Sequence, residues 1–250
     1  MDKNVSNFIS KLEKLNDERV EVFIPSRNKT VTVKPLNIKQ QKDLIACSLD
    51  GIRGAFNYNK TINKIILDNS GIPDLKIYDK LPFCITLRTQ SLGPEMMDSE
   101  DNVIDLEKTL YNVKNIPFKL KDKATITYEN LKVSLEVPTL QEENILISKC
   151  DQLFDSRDMS TSQHKDGVSI LYLFEIVKYI KKLEIDDEAV DMSEIRVKER
   201  IDLVERLPLA IYTDLTEFVS KLNSYDQKVL TTDGVIVPID SAFFDSSISR

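Results

Sequence analysis

Carboxylates are the side chains of this sequence whose type and spacing come closest to a chemical site. They form three clusters: Asp98, Glu100 and Asp101; Glu142 and Glu143; and Asp186, Asp187 and Glu188. Two carboxylates held roughly 5–10 Å apart can hydrolyse a glycosidic bond, so an acidic hydrolase using an Asp/Glu pair is one candidate function. A calcium loop would need alternating oxygen ligands and a central glycine, and the segment from Asp186 to Asp191 lacks that pattern. The simpler interpretation is solvated acidic turns and a helix N-terminus.

The other reactive residue types lack the neighbours that catalysis needs. His164 is the only histidine and lies in a polar segment, where we expect a solvated side chain. Cys47, Cys84 and Cys150 are far apart and odd in number, which predicts buried thiols in a reducing compartment. No phosphate-binding loop or metalloprotease motif is present. The sequence therefore predicts no catalytic residue, no cofactor and no metal site.

Composition limits the classes of partner. The chain has 250 residues, a formal net charge of -7 and a pI near 5.0. Nucleic-acid affinity comes largely from lysine and arginine side chains that release counterions, so this charge argues against a nucleic-acid partner. A nucleic-acid-binding regulator would need a continuous basic face. We expect no signal peptide, because the first residues contain no apolar h-region, and no membrane span, because no apolar run approaches the ~18 residues that a span requires.

Two apolar stripes in the second half of the chain predict a helical core. The first belongs to a helix predicted from Val168 to Lys182, and a strand is predicted directly after it. The second belongs to a helix that begins at Pro208. The stripes consist of Ile170, Leu173, Phe174, Val177 and Ile180, and of Ile211, Tyr212, Leu215, Phe218, Val219 and Leu222. Such stripes bury each other most easily by packing together.

Strand patterns surround this core. We predict an N-terminal hairpin over Val20–Val33, central strands between Ile116 and Val137, and a C-terminal strand over Val235–Ile239. The fold class is therefore α+β, a helix-rich body with small antiparallel sheets. Both the hairpin and the central strands are followed by a proline and a helix start, which indicates either a duplicated unit or a common way to turn the chain.

The acidic segment from Glu95 to Val103 has no periodicity and predicts a mobile loop between two lobes. The first lobe, residues 1–100, contains the hairpin and the first helices. The second, residues 101–250, contains the central strands and the helical core. A single domain is the alternative.

Two segments are able to present apolar anchors to a partner. Phe8 and Leu12 lie on one face of an amphipathic helix predicted over residues 1–15, which is either a docked cap or a binding arm. Phe243 and Phe244 lie near the C-terminus and either bind a partner or pack against the protein's own sheet. We predict all four as partner-binding residues.

Several segments also carry a family resemblance. Val31–Ile45, Leu171–Ile185, Arg200–Pro208 and Ile239–Phe244 resemble, in this order, the baseplate hub assembly proteins of T4-like contractile-tailed bacteriophages. The strand, proline and helix start from Val133 to Glu143 are similar to the middle element of that family. Together these segments span most of the chain.

The resemblance implies a non-enzymatic tail protein, either a baseplate hub component or a hub assembly chaperone. Its partners would be other tail and hub proteins, with the tape-measure protein as a further candidate. It would act in the host cytoplasm during assembly, with the virion baseplate as a second location. Some relatives carry cysteine pairs typical of a metal ribbon, and because this chain lacks them no zinc site is carried over.

Overall fold

The computed structural model describes residues 5–6, 8, 11–12, 19–49, 54–97, 102–151, 174–186, 188–239 and 243–245. Its helices are α1 (Ile38–Ala46), α2 (Gly54–Ser70), α3 (Lys80–Leu92), α4 (Leu106–Asn115), α5 (Leu140–Asp151), α6 (Val197–Val204) and α7 (Leu209–Leu230). Its strands are β1 (Val20–Ile24), β2 (Lys29–Val33), β3 (Glu95–Met97), β4 (Val103–Asp105), β5 (Lys123–Tyr128), β6 (Leu131–Glu136), β7 (Ile180–Ile185), β8 (Glu188–Asp191), β9 (Thr231–Thr232) and β10 (Val235–Ile236). All paired strands are antiparallel, and the predicted α+β class is confirmed. In the part of the chain described here, no helix has the length and hydropathy to cross a bilayer.

The N-terminal hairpin and the helix after it form as the sequence predicts. Val22 and Ile24 alternate with more exposed neighbours and enter the core, as expected for a strand with one buried face. Asn37 caps α1, because its side chain accepts a hydrogen bond from the Gln40 amide at 2.9 Å. The Gln40 side chain in turn accepts from the Asn37 amide at 3.1 Å, which completes a capping box.

The largest sheet has the strand order β5-β6-β7-β8. Its register sets Ile126, Val133, Leu183 and Val190 side by side in one row across the four strands. The first three of these side chains are buried in a core cluster that also contains Ile211 and Leu215 of α7. One face of the sheet therefore packs against α7, and the other face carries polar residues.

The structure corrects the prediction that the helix before this sheet continues to Lys182. Only residues 174–177 are helical within the described part of that segment, and β7 begins at Ile180. The buried residues Ile180 and Leu183 are three apart, a spacing typical of a helix, and they enter one core cluster from a strand because the register with β6 shifts beside Lys181. Pairing with β6 decides between helix and strand, and the Glu136 amide donates to the Tyr179 carbonyl at 2.9 Å where the pairing starts. Residues 168–173 lie outside the described part.

The predicted strand over Ile116–Leu120 is also wrong. This segment is extended without strand pairing, and Pro117 has no amide proton to give to a ladder. Phe118 instead packs between two tyrosines, with ring centroids 4.0 Å from Tyr78 and 4.9 Å from Tyr225. Aromatic packing thus takes the place of a strand.

The main core draws on both predicted lobes. It joins Val22 and Ile24 of the hairpin and Phe83 of α3 with Val229 of α7 and Phe244 near the C-terminus. The predicted loop between the lobes contains β3 and the first residue of β4, which pair with each other, while residues 98–101 lie outside the described part. The division at residue 100 stays a prediction, as does the duplicated unit.

Candidate interaction surfaces and a buried ion cluster

The predicted anchors occupy two opposite environments. Phe8 and Leu12 are 63% and 46% exposed, and the described residues around them are helical. This exposure is what a binding arm needs, whereas a cap docked through these side chains would bury them. Their role as partner-binding residues stays a prediction.

Phe243 and Phe244 are fully buried. Their rings meet edge to face at 5.2 Å, and the Arg88 guanidinium lies 5.4 Å from the centroid of Phe243. The Gln41 side chain donates to the Phe244 carbonyl at 3.2 Å. The pair packs against its own protein, which is the alternative that the sequence left open. Partner binding by this pair stays a prediction, and it would require the C-terminal segment to leave the core.

The reactive residue types are arranged as structural groups where the structure describes them. Cys47, Cys84 and Cys150 are buried, and burial raises the pKa of Cys84 and of Cys150 to about 12. Thiols with such a pKa stay protonated and unreactive at neutral pH. His164 and the carboxylates from Asp98 to Asp101 lie outside the described part. Within the described part, no group of three metal-ligating side chains is present.

Glu142 and Glu143 are adjacent in sequence but differ in role. Glu142 lies in the first turn of α5 and forms a capping box with Thr139, where its amide donates to Thr139 Oγ1 at 3.1 Å and its side chain accepts from the Thr139 amide at 2.8 Å. It also pairs with Lys181 at 2.5 Å on the surface. Glu143, by contrast, is only 3% exposed. The next side chain along the helix therefore points into the protein.

Glu143 is the buried centre of an ion cluster that we define as Asn63, Lys80, Glu143, Glu175 and Lys178, of which Glu175 is exposed. Its Oε2 accepts from Asn63 Nδ2 at 2.7 Å and from Lys80 Nζ at 2.8 Å, and its Oε1 accepts from Lys178 Nζ at 3.3 Å. Lys178 also donates to Glu175 at 2.5 Å. The cluster connects α2 and α3 with α5 and the segment before β7.

The charges of this cluster hold one another ionised. Burial alone would raise the pKa of Glu143, but Lys80 and Lys178 outweigh burial and lower it to about 2. Burial alone would lower the pKa of Lys178, but Glu143 and Glu175 raise it above its usual range. A buried charge is costly unless it is paired and hydrogen-bonded, and here each charge is both.

A cavity of about 260 Å³ adjoins the cluster and is lined by Lys80, Glu143, Lys178 and Asp226, among others. Asp226 Oδ1 is buried and accepts no hydrogen bond from the described residues. Burial raises the pKa of Asp226 to about 6, even though Lys80 and Lys178 both lower it. Asp226 can therefore exchange a proton near neutral pH, while Glu143 stays ionised. Glu143 is occupied by three donors, which is the arrangement of a structural ion pair rather than of an open general base.

Sequence reasoning selected Glu143 but missed Lys80, Lys178 and Asp226. A signal does exist for Asp226, because it lies four residues after Leu222 and three before Val229 on the buried stripe of α7. A charged residue at such a position must find partners inside the protein or shift its pKa. The two lysines carry no comparable signal.

The turns at one end of the four-stranded sheet form an exposed surface, which we call the sheet tip. Cross-strand pairing places Tyr128, Leu131, Ile185 and Glu188 in its last row. Tyr128 and Ile185 are 40% and 49% exposed, although they project from the face that is buried in the next row. Leu131 between them is buried, so in this row only the side chains of Tyr128 and Ile185 extend from the core face into solvent.

Acidic side chains surround the sheet tip. Glu129, Asp186 and Glu188 are exposed, and no ion pair of theirs is found among the described residues. Asn130 Nδ2 donates to Asp186 Oδ1 at 2.8 Å and so ties the two neighbouring hairpin turns together. Glu129 and Asp186 have positive φ angles of 52°, as residues in tight hairpin turns do. The tip thus combines exposed apolar side chains with unpaired negative charge.

The comparisons with known proteins give one match. A family model described as T4 bacteriophage base plate protein matches residues 17–232. The chain belongs to this family. It is thus a bacteriophage baseplate protein of the structural kind, and its partners are other tail or baseplate proteins. No curated protein and no solved structure matches the chain.

Proposed function

We propose that this baseplate protein acts in the hub of the tail, either as a hub subunit or as the chaperone that assembles it. The observation that carries the proposal is the family match over residues 17–232. The hub assignment itself rests on the resemblance of Val31–Ile45, Leu171–Ile185 and Arg200–Pro208 to hub assembly proteins. The function would be binding, in the host cytoplasm during assembly and in the virion if the protein is retained.

The surfaces of the chain support a binding role. Phe8 and Leu12 offer exposed apolar anchors at one end of the sequence. The sheet tip offers Tyr128 and Ile185 with an acidic surround. Exposed apolar side chains rimmed by polar ones are typical of protein-protein interfaces. A hub chaperone would use such surfaces to cover an apolar interface of its client until the hub closes.

Affinity capture from infected cells tests the proposal. The tagged full chain would be recovered during late infection, and its partners would be identified by mass spectrometry. We expect hub proteins, with the tape-measure protein as a further candidate. Recovery of tail proteins from outside the hub alone would overturn the hub assignment but keep the family assignment.

Quantification in purified virions separates the two hub roles. A hub subunit would be present in a fixed number of copies per particle. A chaperone would be abundant in infected cells and depleted from particles.

A Phe8→Ala/Leu12→Ala variant, with Lys11→Ala as the matched control on the same helix, tests the binding arm. Unchanged recovery of partners with the double variant would contradict a role for these two residues.

A further inference from the structure

Strand β8 forms an open edge of the four-stranded sheet. It pairs with β7 on one side, and no other strand of the described part pairs with it on the other. All four of its residues, Glu188 to Asp191, are exposed. An exposed strand edge carries backbone donors and acceptors that can pair with another chain.

The register shows which backbone groups point outward. The Met192 amide donates to the Lys181 carbonyl at 2.9 Å, directly after the last pair of the ladder, Lys182 with Asp191. Hydrogen-bonded and non-bonded pairs alternate in an antiparallel ladder, so Ala189 and Asp191 direct their backbone groups away from β7. The Asp191 carbonyl accepts from the Glu194 amide at 3.2 Å. The edge therefore offers the amide and carbonyl of Ala189 and the amide of Asp191.

The side chains of β8 select what can pair there. Val190 is 36% exposed and continues the row of Ile126, Val133 and Leu183 on the core face of the sheet. Glu188 projects from the same face, and Asp191 from the other. An added strand would therefore meet an apolar position between two negative ones.

The same charges disfavour a second copy of this chain. Self-pairing through the outward backbone groups of Ala189 and Asp191 can set Asp191 of one strand opposite Asp191 of the other, and every such register brings two acidic edges together. Like charges directly opposite each other destabilise a sheet, and charged edges are one way in which proteins prevent self-association. A strand with basic side chains would instead be attracted to Glu188 and Asp191.

We propose that the outer edge of β8 accepts an extended segment of another tail protein by β-augmentation, with lysine or arginine side chains opposite Glu188 and Asp191 and an apolar side chain beside Val190. This inference rests on the proposed function in one respect, namely that the partner is a tail protein. The added strand extends the sheet from four strands to five, while main-chain hydrogen bonds give affinity and the side chains give specificity. The sheet tip lies beside this edge, because Glu188 belongs to both.

The probe is a ten-residue peptide, capped at both ends, whose central four residues are lysine, valine, threonine and lysine. Its matched control carries glutamate in place of both lysines. Binding to the full chain is measured by titration calorimetry, and the edge is located by hydrogen exchange. We expect the lysine peptide to bind about tenfold or more tightly than the glutamate peptide, because two favourable charge pairs become two unfavourable ones. We also expect slowed exchange at the amides of Ala189 and Asp191.

Two pairs of variants test the edge. Ala189→Pro removes an outward amide without removing a hydrogen bond to β7, and Ala189→Thr keeps that amide. Glu188→Lys reverses one edge charge, and Glu194→Lys makes the same change at an exposed residue beyond the strand. We expect Ala189→Pro and Glu188→Lys to lose binding of the lysine peptide, and both controls to retain it. Exchange protection of β7 in each variant verifies that the sheet is intact.

Several outcomes would overturn the inference. These are equal binding of the two peptides, no binding of either to the wild-type chain, and retained binding by an intact Ala189→Pro variant. If sedimentation detected self-association of the chain through β8, the edge would bind a second copy of this chain and not a basic segment. In affinity capture, hub proteins recovered equally by wild type and Ala189→Pro would overturn the edge site and leave the proposed function standing. Failure of the wild-type chain to recover any hub protein would instead count against the proposed function.

Discussion

The ion cluster and the sheet tip use the same acidic residue type in opposite ways. In the cluster, Glu143 is buried and accepts from Asn63, Lys80 and Lys178. At the tip, the carboxylate of Glu188 stands in solvent. The first arrangement fixes the positions of four segments relative to one another. The second leaves charge available to another molecule.

The free energies of buried and exposed charges explain why the ion cluster and the sheet tip have different roles. A buried ion pair gains little net free energy over a well-packed apolar group, but removing one partner leaves an uncompensated charge and is strongly destabilising. An exposed charge contributes little to stability in either direction. Substitutions at the cluster should therefore act on folding, and substitutions at the tip should act on binding.

Removal of the central carboxylate gives the largest expected effect. Glu143→Ala leaves Lys80 and Lys178 buried without their shared anion, and we expect a loss of about 3–5 kcal/mol in the free energy of unfolding. Urea denaturation of the purified chain measures it. Glu142→Ala is the matched control and should cost about 1 kcal/mol, because it removes a helix cap and a surface ion pair. A loss at Glu143 no greater than that at Glu142 would contradict a cluster that holds segments together.

Asp226 should show the next largest effect, and its direction depends on pH. Burial raises its pKa in the folded chain to about 6, well above the ordinary value of an aspartate side chain. The folded chain therefore binds this proton more tightly than the unfolded chain does. The resulting contribution to the free energy of unfolding is fully present below about pH 4 and is lost as the pH rises through about 6. We expect Asp226→Asn to stabilise the chain by up to about 2–3 kcal/mol at pH 7 and to have little effect at pH 4.

Thermal or urea unfolding at the two pH values measures this difference. Glu143 has the opposite dependence, because its lowered pKa supplies stability that is lost as the pH falls from about 4 towards 2. Equal stabilisation by Asp226→Asn at pH 7 and pH 4 would show that the carboxyl group does not titrate as its burial requires.

Asn63 should give a smaller effect within the same cluster. Its amide donates to Glu143, but its own Oδ1 is buried and accepts no hydrogen bond from any residue that the structure describes. Asn63→Ala removes a good hydrogen bond together with an unsatisfied acceptor, so we expect a loss of only about 1 kcal/mol. Asn223→Ala, at the exposed rim of the adjoining cavity, is the control and should be close to neutral. A loss at Asn63 as large as that for Glu143→Ala would indicate that the amide, and not the ion pairs, organises the cluster.

The sequence was most informative where structure depends on near neighbours. The caps at Asn37 and Thr139 were predictable, because each needs only a side chain three residues away. The ion cluster was not, because Glu143 is 63 residues from Lys80 and 35 from Lys178. A carboxylate in the first turn of a helix is equally typical of a solvated cap, and Glu142 is one.

The wrong helix boundary has the same origin, and so does the open choice between the two roles of Phe243 and Phe244. The segment from Ile180 to Ile185 carries a spacing that suits helix or strand, and distant β6 determined the outcome. Phe243 and Phe244 are aromatic residues near a terminus, and nothing local distinguishes an exposed anchor from a core residue. Arg88 and Gln41, which contact this pair in the fold, are more than a hundred residues away in sequence. Long-range contacts thus decide which surfaces stay open for partners.

The smallest effect on stability is expected at the sheet tip. Glu129→Lys changes an exposed residue in a hairpin turn, so the unfolding midpoint should match that of the wild-type chain. Its positive φ angle of 52° suits asparagine and glycine best, so Glu129→Asn is the control that removes the negative charge without adding a positive one.

If the tip attracts a basic segment, recovery of partner proteins at low ionic strength should fall in the order wild type, Glu129→Asn, Glu129→Lys, and the differences should shrink as salt screens the charges. Equal recovery by all three chains at low salt would mean that the acidic surround of the tip takes no part in binding.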